Sequence, residues 1–455
     1  MMRVDAAAEG PFELVWKDDE GYERRRRELC WHERVVDRRP RVIARPRTGD
    51  DVVTAVRLAR EHGLRIGVRS GGHSWINAFL EDDAMVVDLS RLDSFTVSPE
   101  ARTALLEPAV ENRKLIAGLA AHDLAFPVGH CPSVVVGGYL LAGGFGWNSR
   151  IWGAATQSVT AVDVVLADGR AVRADADHEP DLYWLARGSG VGFPGIVTRF
   201  HVTLQSLPVL RFTQRALRVA DVDAVADWLS GVVDRQGREL EIEVAFRTSE
   251  DTGEPEILVT AVAFGADPAA AARTLDVLDE VTCGATPARV VEPVECDFDR
   301  LYAYNEGLYV AGARYAADAF STQLDFRSLL RRAATLFAAA PAGPSFLLLG
   351  AEPAAPPAYP LLDLPLSLGG RSFIACYAVW EDAGEDERHM TWLRGVAEDL
   401  DRVSVGRYVG EADLDDGVSG AETCFAPEAW ERVQALRSRF DPAGVFVTPP
   451  GWRTR

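Results

Sequence analysis

The sequence predicts a two-domain α+β protein, and three observations carry that prediction. A chain of 455 residues is too long for one compact core and long enough to bury two. Residues 40 to 208 alternate helix-like and strand-like patterns around glycine-rich loops. From about residue 209 those loops disappear, and longer amphipathic helices alternate with strands.

In the first half, Thr48 or Asp50 caps a helix that places Val52, Val53, Val56 and Ala59 on one face. A strand at 65–69, a glycine loop and a strand at 85–89 follow. A helix starting near Asn112 carries Leu115, Ile116 and Leu119 and stops before Pro127. Val162, Val164 and Leu166, the turn Asp168-Gly169 and then Val172 read as a hairpin. Alternation from Ile196 to Leu204 gives a further strand, ending at Pro208.

In the second half, helices are predicted around 221–236, 268–280, 326–340 and 386–403, with strands around 242–248, 256–265, 345–351 and 371–380. The stretch EPAAPPAYP (352–360) reads as a loop. The segment APEAWERVQALRSRFDPAGVF forms a last helix, which Asp441-Pro442 terminates.

Acidic residues outnumber basic ones 68 to 48, and a net charge of -20 opposes binding to nucleic acid or anionic lipid. The one basic cluster, Arg24 to Arg27, is interleaved with Glu23 and Glu28 and reads as a solvated helix face. The first residues lack the pattern of a secretory signal, and no apolar run approaches the ~18 residues of a membrane span, so a cytoplasmic protein is expected. Six scattered cysteines without CxxC spacing argue against a disulfide framework and a zinc site.

Chemistry concentrates in two glycine loops. Arg69-Ser70-Gly71-Gly72-His73-Ser74 follows a strand, and its glycines let successive backbone N–H groups converge on an anion such as a pyrophosphate. Gly129-His130-Cys131-Pro132-Ser133-Val134 runs on to Gly137, Gly138, Gly143, Gly144 and Gly146. Six glycines in eighteen residues are no helix filler and imply close backbone approach to a flat or phosphorylated ligand. Gly188 to Gly192 resembles part of a dinucleotide fingerprint, but it follows a helix-like segment instead of a strand. Gly72-His73-Ser74-Trp75-Ile76 lacks the second glycine of a nucleophile elbow. On chemistry alone, His73 fits a satisfied loop residue as well as a reactive one, and Cys131 a packing residue as well as a nucleophile.

The phrases PRVIARPRTGDDVVTAVRLAREHGLRIGVRSGGHS, MVVDLSRL, GHCPSVVVGGYLLAGGFGWNSRIWG, VDVVLADG, DLYWLARGSGVGFPGIVTRF and RFDPAGVF together resemble the berberine bridge enzyme family of FAD-linked oxidases, within the vanillyl-alcohol oxidase superfamily. The likeness is nearly continuous over residues 40–205 and returns in the last 25. It implies an FAD-binding α+β domain at 1–208, a substrate domain at 209–404 whose sheet covers the flavin, and a segment at 405–455 that returns to the first domain. It implies FAD fastened twice, through His73 to the 8α-methyl and through Cys131 to the isoalloxazine ring. An electropositive glycine loop would favour the Cys131 thiolate.

By the same resemblance, Arg69, Ser70, Gly71, Gly72 and Ser74 serve the pyrophosphate. Gly137, Gly138, Gly143 and Gly144 serve the flavin and its ribityl chain, and Ile196 and Val197 form the adenine-side strand. Val134 matches oxygen-reactive members, in which a small residue leaves the oxygen side of the flavin open. The implied reaction is two-electron oxidation of a small organic alcohol or amine, a specialised metabolite, with O2 as acceptor. Rival readings are a cyclase or binding protein whose FAD is structural, and a dehydrogenase that passes electrons to a partner.

The chain departs from the family where a base is usually found. Phe425-Ala426-Pro427-Glu428-Ala429 stands in place of a tyrosine-rich pattern, Phe145 in place of a tyrosine, and a substrate-domain His-Arg pair is replaced near Ser367 to Arg371. An alcohol needs a base as hydride leaves, whereas an amine does not. Tyr139, Tyr377 and Tyr408 are the positional candidates, with a core-aromatic role the favoured reading for the last two.

Overall fold

The computed structural model describes residues 12–351, 364–366, 369–415 and 419–452. The predicted loop at 352–360 and part of the Ser367–Arg371 stretch lie outside them. The N-terminal half builds a four-stranded sheet in the order Glu13–Trp16, Val42–Arg45, Met85–Asp88, Ile66–Arg69. Its last three strands are parallel, because the helix Gly49–Glu61 carries the chain back over the sheet between the second and the fourth. Thr48 caps that helix by accepting from the Asp51 N–H, and Val52, Ala55, Val56 and Ala59 bury its inner face. A five-stranded antiparallel sheet follows, in the order Phe95–Ser98, Thr103–Leu106, Gly195–Thr203, Val159–Leu166, Ala171–Asp175. The predicted hairpin forms its far edge, with Gly169 at φ +81° in the turn.

The second half is an eight-stranded antiparallel sheet in the order Arg289–Cys296, Val209–Arg218, Pro255–Gly265, Leu240–Thr248, Phe346–Ala351, Ser372–Trp380, Arg314–Thr322, Ser404–Arg407. Helices Val222–Val233, Phe326–Phe337 and Asp386–Asp401 cover one face, where Val244, Phe246, Leu347, Leu349, Ile374 and Cys376 point into a core with Trp228 and Leu393. The alternate residues Ala245, Leu348, Ala375 and Tyr377 face the other way and join a core that includes Leu140, Trp147 and Val197. Period-two alternation thus gives the sheet one face against its own helices and one against the N-terminal half.

Ser404–Arg407 is the edge strand of the large sheet, so the returning segment begins beyond Arg407. Helix Pro427–Phe440 then packs on Pro180–Leu185, where Arg432 and Arg439 bond Asp181 at 3.0 and 2.9 Å. Backbone bonds Ile66 N–H to Val445 O and Val447 N–H to Ile66 O fasten the end of the chain to the parallel sheet.

In the basic cluster Arg24 and Arg27 are exposed, as on the expected solvated face, and one residue departs from it. Arg26 is buried, bonding Glu23 at 2.7 Å and donating to the Val36 carbonyl at 2.8 Å, so this residue holds the helix Tyr22–Glu28 to the loop after it. No helix among the described residues is long and apolar enough to cross a membrane.

Candidate functional site

A cavity of about 1250 Å³ lies between the two glycine loops and the inward face of the large sheet. Small-molecule sites usually measure about 300–1,000 Å³, so this one has room for a dinucleotide and a further small molecule. Arg69, Ser70, Gly71, Gly72, His73, Ser74, Cys131, Val134, Gly137, Gly138 and Val197 all line it, and so do Tyr139, Tyr377 and Tyr408. Three predicted residues lie behind the wall. Gly143 and Gly144 turn the chain at φ +105° and +74° behind Leu366 and the Tyr139 ring, and Ile196 is buried in the core under helix Gly49–Glu61.

The first loop is built to receive an anion. Among the described residues, none of the backbone N–H groups from Ser70 to Ser74 donates to a backbone carbonyl, which leaves five successive donors at the cavity wall. Gly72 holds φ +78°, and a Cβ there would lie 2.1 Å from the Leu29 carbonyl oxygen. Gly138 borders the cavity with none of the described residues within 4 Å of a Cβ, so a flat ligand can approach its backbone. These features fit the pyrophosphate and ring of a flavin dinucleotide. Arg69, assigned above to the pyrophosphate, spends its guanidinium on the loop itself: it donates to the carbonyls of Leu29, Ser70 and Gly71 and pairs with Asp88 at 3.1 Å.

The two expected attachment residues come together through a residue that sequence reasoning passed over. The Ser133 hydroxyl stands 3.1 Å from His73 Nε2 and 3.5 Å from Cys131 Sγ. The His73 ring stacks on Trp31, with centroids 4.5 Å apart. Burial, helped by the Arg69 charge, holds the His73 pKa down at about 3, so the imidazole is neutral with a free lone pair at neutral pH. For Cys131 the expectation of an ionised thiol is not met. Burial pushes its pKa up, and the hydrogen bonds from Ser133 and Val134 only partly oppose this.

The tyrosines separate into different roles. Tyr139 donates its hydroxyl to the Pro127 carbonyl at 3.0 Å, and its ring fills the space beside Gly129, Gly144 and Gly146. With that proton committed, Tyr139→Phe is expected to slow anaerobic flavin reduction by less than about tenfold, or ~1.4 kcal/mol. A stopped-flow loss of ~100-fold or more would instead make it a catalytic base. Tyr408 packs edge-on against Phe145 at 5.5 Å and is buried. Tyr377 stacks on Phe346 at 4.6 Å, as a core aromatic would, yet its hydroxyl donates to Glu411 Oε1 at 2.8 Å at the cavity wall.

Glu411 is a group that no local sequence pattern singles out. It sits in the turn after strand Ser404–Arg407, and burial raises its pKa to about 7 against the opposing hydrogen bond from Tyr377. Glu241 and Glu243 project from strand Leu240–Thr248 on the cavity side. His130 bonds Glu241 at 2.8 Å; burial opposes its protonation, but the bond and the charge of Glu241 outweigh burial and raise its pKa. Two acids at alternate positions of an otherwise apolar strand, LEIEVAF, were a legible signal.

Residues 40–175 match a family described as an FAD binding domain. The chain is 28% identical over 444 residues to the FAD-linked oxidoreductase janO of Penicillium janthinellum, covering 94% of this chain and 95% of that protein. It is 33% identical over 196 residues to the (R)-6-hydroxynicotine oxidase of Paenarthrobacter nicotinovorans, covering 43% of this chain and 42% of that protein. Among solved structures it superposes with a TM-score of 0.82 on 6-hydroxy-D-nicotine oxidase from Arthrobacter nicotinovorans, at 22% identity over 98% of both chains. The berberine bridge enzyme-like protein 1 of Physcomitrella patens gives 0.83 at 19% identity, again over 98% of both.

Proposed function

We propose that this chain, an FAD-linked oxidoreductase with the fold of the berberine bridge enzyme-like flavoproteins, oxidises a small organic molecule with O2 as acceptor and holds its flavin through both His73 and Cys131. The observation that carries the reading is one cavity lined both by the Ser133-linked pair His73 and Cys131 and by the Tyr377–Glu411 pair. When bound, the flavin supplies a two-electron acceptor that O2 regenerates, with hydrogen peroxide as the product.

The residues divide the remaining work. The nest from Ser70 to Ser74 binds the pyrophosphate, and His73, neutral and stacked on Trp31, presents a ring nitrogen as a nucleophile. Glu411 takes the substrate's O–H or N–H proton, because a carboxyl with a pKa of about 7 is poised to accept it near neutral pH. Tyr377 orients that carboxylate through its hydrogen bond. Trp75, Phe145, Tyr309 and Phe373 exclude water from the same space and strengthen these polar contacts.

Anaerobic addition of candidate alcohols and amines tests the reading. Substrate should bleach the flavin, and air should restore the colour with one peroxide per turnover. A flavin that no such compound bleaches would mean a structural cofactor, and one that air leaves reduced would mean a dehydrogenase. Val134, at the cavity wall, is the expected oxygen-side residue. Val134→Leu should slow reoxidation at least tenfold with substrate reduction nearly unchanged; equal reoxidation rates in stopped flow would remove it from that role.

A further inference from the structure

We propose that Glu243 seats a protonated amine, so that the substrate is a cationic amine and not a neutral alcohol. The inference rests on the oxidoreductase reading above and narrows its substrate class.

Strand register supplies the geometry. Glu243 pairs with Gly350 on the neighbouring strand, and Gly350 pairs with Phe373 on the next. Residues directly opposite share a face, so a carboxyl, a gap and an aromatic ring stand in one row, the outer two separated by two strand spacings, about 10 Å. Among the described residues the gap is open: none of them lies within 4 Å of a Cβ built on Gly350. All three residues line the cavity, and Tyr309 lines the same space. A carboxylate on one side and an aromatic face on the other is the pattern that recognises an ammonium group.

Electrostatics select the same ligand. Glu243 is 7% exposed, and none of the described residues donates a hydrogen bond to its carboxyl. The nearest cation is His130, whose Nε2 is 3.9 Å away and already bonds Glu241 at 2.8 Å. A carboxyl buried without a donor is costly unless a ligand completes it. Burial raises the Glu243 pKa, with the His130 charge opposing this in part. An ammonium placed beside it would draw it back to the ionised form. Among the described residues, no basic side chain is hydrogen-bonded to Glu411, in the same cavity; its partner there is the Tyr377 hydroxyl.

The test uses ligands that need no turnover. Flavin-loaded protein is titrated with benzyltrimethylammonium and with its uncharged carbon isostere, neopentylbenzene, and binding is read from the perturbed flavin spectrum. The cation should bind at least tenfold more tightly to the wild type. Glu243→Gln should bring the two affinities within about threefold of each other, and Glu243→Asp should keep part of the preference. Gly350→Val should weaken the cation at least tenfold by filling its seat, with the flavin spectrum of the free protein unchanged. Equal affinities in the wild type, or a preference that survives Glu243→Gln, would overturn the proposal. Either result leaves the oxidoreductase reading standing, since that reading fails only if no substrate bleaches the flavin.

Discussion

Replacing Glu411 by glutamine is expected to slow anaerobic flavin reduction by ~100-fold or more, the usual scale of a general base. The exchange keeps the shape of the side chain and an oxygen to accept the Tyr377 hydroxyl, but an amide cannot take the substrate's proton. The pH profile separates this role from a packing role. The carboxyl is pushed up to about 7 by burial, so it is protonated and unable to act below that pH, and free to accept a proton above it. The wild-type rate should therefore rise as pH passes upward through about 7, and the variant should lose that inflection. Tyr377→Phe removes a hydrogen bond that lowers the Glu411 pKa, so its inflection should move to higher pH with a smaller loss of rate. A Glu411→Gln enzyme within tenfold of the wild type, with the same inflection, would move the base elsewhere.

Glu411 also marks where sequence reasoning ran out. It lies in a turn with no pattern of its own, and only the packing of the large sheet brings it to Tyr377. The strands at 209–218 and 314–322 were hidden for a related reason. Val209–Arg218 mixes Arg211, Gln214 and Arg215 with its apolar residues, and Arg314–Thr322 is an alanine-rich run interrupted by Asp318. Neither shows the β-branched alternation that flags a strand. Asp318 is tolerated there because Arg407, from the edge strand, meets it at 2.5 Å, a partner no local window could reveal.

What was legible came from residues whose local chemistry admits one structure. Thr48 before an apolar-periodic stretch gave the capped helix Gly49–Glu61, and Asp168-Gly169 gave the hairpin. The glycine loops were legible as ligand walls because so many glycines so close together are costly in a helix, although Gly143 and Gly144 serve to turn the chain behind that wall. The state of Cys131 was not, since whether a thiol ionises depends on burial and neighbouring charge in the folded chain, and burial prevails here.

The second large effect concerns attachment. Wild-type protein precipitated with acid should stay yellow in the pellet, His73→Ala and Cys131→Ala should each keep one linkage, and only the double variant should release its FAD to the supernatant. The mass of flavin-bound peptides would identify each bond. His73 is prepared for its part without help, since burial already keeps its imidazole neutral. Cys131 is not, since its thiol is held protonated and needs a route for that proton. Ser133 offers one: its hydroxyl can accept from the thiol while donating to His73 Nε2. Were His73 to bond the flavin through Nε2, that acceptor would be lost and the relay would close. The cysteine bond should then form first, or else lose its fast route. His73→Ala should accordingly slow formation of the Cys131 linkage, and Ser133→Ala should slow it with His73 intact. If Cys131 links at wild-type speed in both variants, its proton leaves by another path and the chain through Ser133 only positions the two side chains.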